Sequence, residues 1–195
     1  MCSLAVISLI LLSNSFLYAA DPVATPPKVT YTLGLPAQDL RHLMQDHFQV
    51  SDRASAIPPA VLKEIRAHDY RLMKTLPGFQ EYPIPDLETY PPVKMADAGK
   101  RFNSTDYIDP SLPGRRLSFL GVTPYYCVFS WETGGMTGHL VLAVFRLSKT
   151  ASGEEQVTLI GAALPNHTVK NMEELKKKVE AGGYEAFDYT HYLLL

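Results

Sequence analysis

In residues 115–164 four apolar runs follow one another with short gaps between them. The runs are rich in Val, Leu, Phe, Tyr and Trp, which favour the pleated, half-buried surface of a β-sheet. Gaps that contain Gly or Pro, like those here, are typical of hairpin turns. The pattern predicts an antiparallel β-meander of at least four strands, at residues 116–122, 125–132, 139–148 and 157–164.

The two middle strands are apolar on both faces of this predicted sheet. By the two-residue period of a strand, Val141, Ala143 and Phe145 lie on one face. Leu142 and Val144 lie on the other face. A sheet with one wet face would alternate polar and apolar residues more regularly. We therefore expect both faces to be covered, by helices, by a long loop or by curling of the sheet.

Helical spacing of apolar residues occurs on both sides of the sheet region in the sequence. Residues 36–50 and 58–76 each carry one apolar face, and we expect them to form an N-terminal helical hairpin over one face of the sheet. Asn171 followed by Glu174 is a capping box that starts a short C-terminal helix, which ends at Gly182. The predicted fold class is α+β.

Residues 1–20 have the composition of a secretory signal peptide, an apolar segment followed by small residues. Cleavage after Ala19 or Ala20 would export the protein to the periplasm or the extracellular space, and the alternative is an uncleaved anchor helix. Residues 21–195 then form a single α+β domain. The net charge of -2 indicates no nucleic-acid partner, and no stable membrane insertion is expected after cleavage.

The Pro-rich residues 79–114 form a long arm in which regular structure is not expected. Loops of this length are uncommon inside a compact domain and are often functional. The aromatic residues of the arm favour wrapping against the body of the protein. A structural arm and a partner-binding arm are both consistent with this composition.

Cys127 is the single cysteine left after signal cleavage and the one candidate thiol nucleophile. A catalytic thiol needs solvent access and a lowered pKa, whereas the middle of a strand usually holds a small core residue. A hairpin turn centred on residues 135–136 places His139 opposite Glu132. It also places Cys127 opposite Val144 and away from an imidazole. Cys127, His139 and Glu132 are therefore weak catalytic candidates.

The sequence predicts neither a metal site nor a cofactor. Its six histidines include no His-x-x-x-His spacing, and no Cys-x-x-Cys pair is present. His42 and His47 are five residues apart on a predicted helix, which turns their side chains about 140° from each other.

Arg115 and Arg116 follow a Pro-Gly turn and, with Tyr107 in the arm, are candidate binding residues. Paired guanidinium groups can hold a carboxylate or a phosphate. The alternative is that the two arginines pair with acids of the arm and hold it in place.

These patterns favour an exported, non-catalytic protein that binds a protein partner, of the inhibitor, immunity or envelope-accessory type. The chain contains no Gly-x-Ser-x-Gly motif, no Ser-x-x-Lys motif and no phosphate-binding loop. One alternative is a small exported hydrolase that uses Cys127 or an Asp/Glu pair. The other is a domain that binds an apolar small molecule. The balance is against an enzyme without excluding one.

Overall fold

The computed structural model describes residues 31–75, 86–105, 109–135 and 138–184. The predicted signal peptide at 1–20, the start of the arm and the C-terminal tail at 185–195 lie outside these ranges. The described chain is α+β, with an antiparallel sheet and three α-helices. Its elements are β1 Tyr31–Thr32, α1 Ala37–Gln45, β2 Gln49–Ser51, α2 Pro59–Thr75, β3 Met95–Ala96, β4 Arg115–Val122, β5 Tyr126–Thr133, β6 Leu140–Lys149, β7 Glu155–Ala163, α3 Met172–Glu180 and β8 Gly183–Tyr184, with a 3-10 turn at Ala54–Ala56.

The main sheet has the strand order β2-β4-β5-β6-β7, and neighbouring strands in this order are antiparallel. The predicted four-strand meander is therefore confirmed as β4 to β7. The short strand β3 runs parallel to β4 at Arg115 and Arg116. A separate parallel pair joins β1 to β8. Among the described strands, β7 forms one end of the main sheet.

The central strands are buried on both faces, as their apolar pattern predicts. One face carries Val128, Leu142 and Val144, which share a core with residues of α1 and α3. The opposite face carries a second core with the N-terminal half of α2. That core contains Ile57, Val61, Ile65, Leu117, Leu120, Cys127, Phe129, Trp131, Val141, Ala143 and Phe145.

The predicted N-terminal helical hairpin is wrong. In its place the structure has the short helix α1 followed by the long helix α2, and these two helices pack against opposite faces of the sheet. Helix α1 ends at Gln45 instead of continuing to Val50, because Gln49–Ser51 pairs with β4 as strand β2. Helical periodicity alone does not say which face of a sheet a helix covers, so two amphipathic helices in succession predict a hairpin by default.

The predicted register of the β5–β6 hairpin is wrong by one residue. Cys127 lies opposite Phe145, and Glu132 lies opposite Leu140. Register is weakly specified where both faces of a strand are apolar, because a one-residue shift still buries apolar side chains. The observed register places the Phe129 ring of β5 on the same face as the Phe145 ring of β6, with their centres 5.8 Å apart.

The C-terminal helix follows its prediction. The Asn171 side chain accepts a hydrogen bond from the Glu174 amide at 2.8 Å, which caps the first turn of α3. Met172, Leu175 and Val179 are buried against the sheet. Within the described ranges, every helix is too short or too polar to cross a membrane.

Candidate functional site

Cys127 lies in the core beneath α2. Its side chain is 0% exposed, and burial raises the pKa of its thiol. Both features oppose formation of a thiolate. His139 is exposed and pairs through its backbone with Thr133, with the Thr133 amide 2.8 Å from the His139 carbonyl. The structure therefore does not bring Cys127, His139 and Glu132 together.

Glu132 has a different partner from the one its sequence position suggested. An Arg116 Nη2–Glu132 Oε2 distance of 2.6 Å makes these two residues an ion pair across β4 and β5. The Arg116 guanidinium also lies 4.6 Å from the centre of the Phe102 ring in the arm. Arg116 thus contacts the arm through the Phe102 ring, whereas its ion-pair partner, Glu132, belongs to the sheet.

Arg115 points to the other face of the sheet. Its Nη2 lies 2.6 Å from Asp69 Oδ2 on α2, and both side chains are buried. Arg115 and Arg116 point to opposite faces, as adjacent strand residues do, and their acid partners Asp69 and Glu132 lie outside the arm. The third candidate, Tyr107, lies outside the described residues.

Arg116 and Glu132 both line a cavity of about 410 Å³ beneath the arm, with Arg101, Phe102 and Asp109. Both acids that line this cavity among the described residues have partners. Glu132 pairs with Arg116, and Asp109 accepts hydrogen bonds from the backbone and side chain of Ser111. Asp109-Pro110 therefore forms a turn, and the described residues of this cavity include no acid pair free of such contacts.

A second cavity lies at the end of the sheet where α2 begins, and no sequence pattern predicted it. It has a volume of about 500 Å³ and lies between the start of α2, the β4–β5 turn and the β6–β7 hairpin. We call it the Tyr125 cleft. Its lining includes Pro58, Ala60, Tyr125, Leu147, Glu155 and Val157.

Tyr125 stands at the rim of this cleft and is 66% exposed. It was predicted as the first residue of a strand, whereas β5 begins at Tyr126 and Tyr125 belongs to the preceding turn. The turn is fixed by the Thr123 hydroxyl, which accepts hydrogen bonds from the amides of Tyr125 and Tyr126 at 3.2 and 2.9 Å. An aromatic side chain is thus held out from the body by an ordered turn.

A separate groove between α2 and β7 shares Val157 with the Tyr125 cleft. This groove has a volume of about 480 Å³ and is lined by Leu72, Arg71 and Glu64 of α2. Arg71 and Glu64 form an exposed ion pair at 2.9 Å. Two cavities thus lie along β7, the Tyr125 cleft at residues 155–157 and the groove at residues 157–159.

No group of three or more His, Cys, Asp or Glu side chains within the described ranges could hold a metal ion. The chain matches no protein-family model, no curated protein and no solved structure at a significant level. Its function must therefore be argued from the geometry of its own residues.

Proposed function

We propose that this is an exported, non-catalytic protein that binds a protein partner through the Tyr125 cleft. The observation that carries the proposal is an exposed aromatic side chain beside a preformed apolar cleft. Binding energy at protein interfaces is concentrated in a few aromatic and arginine side chains that fill apolar pockets. Tyr125 has this character, and its supporting turn is already ordered, which lowers the entropic cost of binding.

The environment of the candidate nucleophile and acids supports a role without catalysis. Cys127 is buried among aromatic rings. Asp39, Asp69 and Glu132 each form an ion pair with an arginine. Paired carboxylates of this kind hold elements together and are poor general bases. Export rests on the signal-peptide composition of residues 1–20.

An apolar small molecule is the second candidate for the same cleft. Its volume of about 500 Å³ falls within the range of ligand pockets. The two candidates differ in the part of the cleft they use, since a small molecule fills the floor and a protein also covers the exposed Tyr125 ring.

Site-specific photo-crosslinking tests the proposal. A photoreactive phenylalanine analogue replaces Tyr125, and in a matched control it replaces Val50, which is 57% exposed on the opposite edge strand β2. We expect an envelope extract to give a specific crosslinked protein from position 125 and not from position 50. The purified partner should then bind Tyr125→Ala about tenfold or more weakly than the unmodified protein.

Two results would contradict protein binding at this site. One is the same set of crosslinked proteins from positions 125 and 50. The other is a purified partner that binds Tyr125→Ala as tightly as the unmodified protein while Trp131 fluorescence shows that the variant is folded. An apolar compound that copurifies with the protein, and is detected by native mass spectrometry, would favour the small-molecule alternative.

A further inference from the structure

The outer edge of β7 presents backbone groups that the described chain leaves open. Two hydrogen bonds establish which ones. The Leu147 amide donates to the Tyr125 carbonyl at 2.7 Å, so Leu147 directs its backbone groups towards β5. The Thr150 amide donates to the Glu154 carbonyl at 2.8 Å and closes the β6–β7 hairpin. The two bonds agree on which residue pairs of the β6–β7 ladder are hydrogen-bonded and which are not.

Hydrogen-bonded and non-hydrogen-bonded pairs alternate along an antiparallel ladder. Val157 lies opposite Leu147, and Glu155 lies opposite Lys149. Both are therefore non-hydrogen-bonded pairs, and the amides and carbonyls of Glu155 and Val157 point away from β6. No described strand lies on that side of β7. These four groups form a short template for a further strand.

The side chains of the same two residues line the Tyr125 cleft. Val157 contributes to its apolar floor and packs against the core beneath α2. Glu155 is exposed, and no described residue forms an ion pair with it, although Lys149 lies opposite in the ladder. A strand added here would therefore meet an apolar position and a negative charge two residues apart on one face.

We propose that the partner adds an extended segment to β7 as a further strand. The segment carries an apolar residue opposite Val157 and, two positions along, a lysine or arginine opposite Glu155. Main-chain hydrogen bonds supply affinity in this mode of recognition, and alternate side chains supply specificity. This inference rests on the proposed function and names the partner's chemistry at the same cleft.

A second copy of this chain fits the edge less well. If two β7 strands paired antiparallel with their α2 faces on the same side, Glu155 of one copy would lie against Glu155, Val157 or Leu159 of the other. The first arrangement opposes like charges, and the other two place an unpaired carboxylate beside an apolar side chain. A partner with a basic residue avoids both costs.

Synthetic peptides test the strand addition directly. The probe is a labelled threonine nonapeptide with valine at its centre and lysine two positions later, and the comparison peptide has glutamate in place of lysine. We expect the lysine peptide to bind about two- to fivefold more tightly. The preference should reverse in Glu155→Lys. Fluorescence anisotropy of the labelled peptides measures both affinities.

Amide hydrogen exchange identifies the contact. With peptide bound, exchange at the Glu155 and Val157 amides should slow. Exchange at the Gln156 and Thr158 amides, which belong to hydrogen-bonded pairs with β6, should change little. Val157→Pro removes the outward donor, and Val157→Ala removes a similar part of the side chain but keeps that donor. The proline variant should therefore bind about three- to tenfold more weakly than the alanine variant.

Three outcomes would overturn the strand addition: no binding of either peptide at millimolar concentration, unchanged exchange at Glu155 and Val157, or equal affinity of Val157→Pro and Val157→Ala. The proposed function is judged separately. If a protein captured at Tyr125 binds Val157→Pro and Val157→Ala equally, the cleft binds a partner but β7 does not pair with it.

Discussion

At Gly134 the absence of a side chain allows the arm to cross the sheet. A Cβ atom built there would lie 1.4 Å from the Asn103 carbonyl oxygen. Asn103 in turn organises the following turn, since its side-chain amide donates to the Asp109 and Leu112 carbonyls at 2.9 and 3.0 Å and its oxygen accepts from the Asp109 amide. These contacts hold residues 102–105 and 109–113 against the β5 end of the sheet.

Gly134→Ala tests this close approach. The added methyl group meets backbone atoms, which cannot rotate away, so we expect a loss of about 1–3 kcal/mol in the free energy of unfolding. Gly114→Ala is the matched control, because nothing lies within 4 Å of its added Cβ. The control should stay within about 0.5 kcal/mol of the unmodified protein. Equal urea midpoints for the two variants would show that the arm does not press on Gly134.

At the level of elements, two Asp–Arg pairs fasten helices to opposite faces of the sheet. Asp69 of α2 binds Arg115 of β4, and Asp39 of α1 binds Arg146 of β6. The Tyr126 hydroxyl also donates to Asp39 at 2.8 Å. The carboxylate of each pair is buried, whereas Arg146 is partly exposed and Arg115 is buried. Pairs with a buried carboxylate add little net stability over apolar residues, but they specify where an element docks. They explain how two similar amphipathic helices are assigned to different faces.

The Asp39 pair makes stability depend on pH. Burial alone would raise the pKa of Asp39, but hydrogen bonds from Arg146 and Tyr126 and the charges of Arg146 and His42 bring it below its ordinary value of 3.8. A lowered pKa means that the unfolded chain binds this proton more tightly. The contribution of Asp39 is therefore complete above pH 3.8 and is lost as the pH falls through its folded-state pKa.

Urea unfolding of the protein and of Asp39→Asn, from neutral pH down to about pH 2, measures this contribution. We expect the stability difference between the two proteins to be constant above pH 3.8 and to shrink below it. Glu64→Gln, which removes the acid of an exposed pair on α2, serves as the control and should keep the acid-dependent loss. A difference that does not vary with pH would remove Asp39 as the titrating group.

At the level of the whole molecule, one sheet separates two cores. The core with α1 and α3 and the core with α2 share the strands β4, β5 and β6. Neither core can lose these strands while the other keeps its structure. We therefore propose that the two cores unfold together, as the single-domain prediction for residues 21–195 requires.

Trp131, the only tryptophan in the sequence, lies in the α2 core and is 0% exposed. Its fluorescence reports that core, whereas far-ultraviolet circular dichroism reports all the helices. We expect the two signals to follow one urea transition with the same midpoint. A second transition seen only by circular dichroism would mean that α1 or α3 unfolds independently.

Features of the fold that depend on residues close together in the chain could be predicted from the sequence. The faces of β6 follow from a two-residue period, and the cap of α3 follows from Asn171 and Glu174. The end of α1 and the β5–β6 register could not be predicted in the same way. Residues 49–51 become a strand only because β4 lies beside them, and the register brings Phe129 of β5 against Phe145 of β6, far away in the chain.

The candidate site also combines features that the sequence predicts with features that depend on the tertiary structure. The sequence alone determined that Cys127 is a mid-strand residue between apolar neighbours, and the structure places it in a core with a raised pKa. Only the tertiary structure decided that β7 lies at one end of the sheet among the described strands, and that its outward groups lie beside Tyr125. The physical reason is that strand order depends on contacts between residues far apart in the chain, whereas periodicity and capping depend on neighbours within one or two turns.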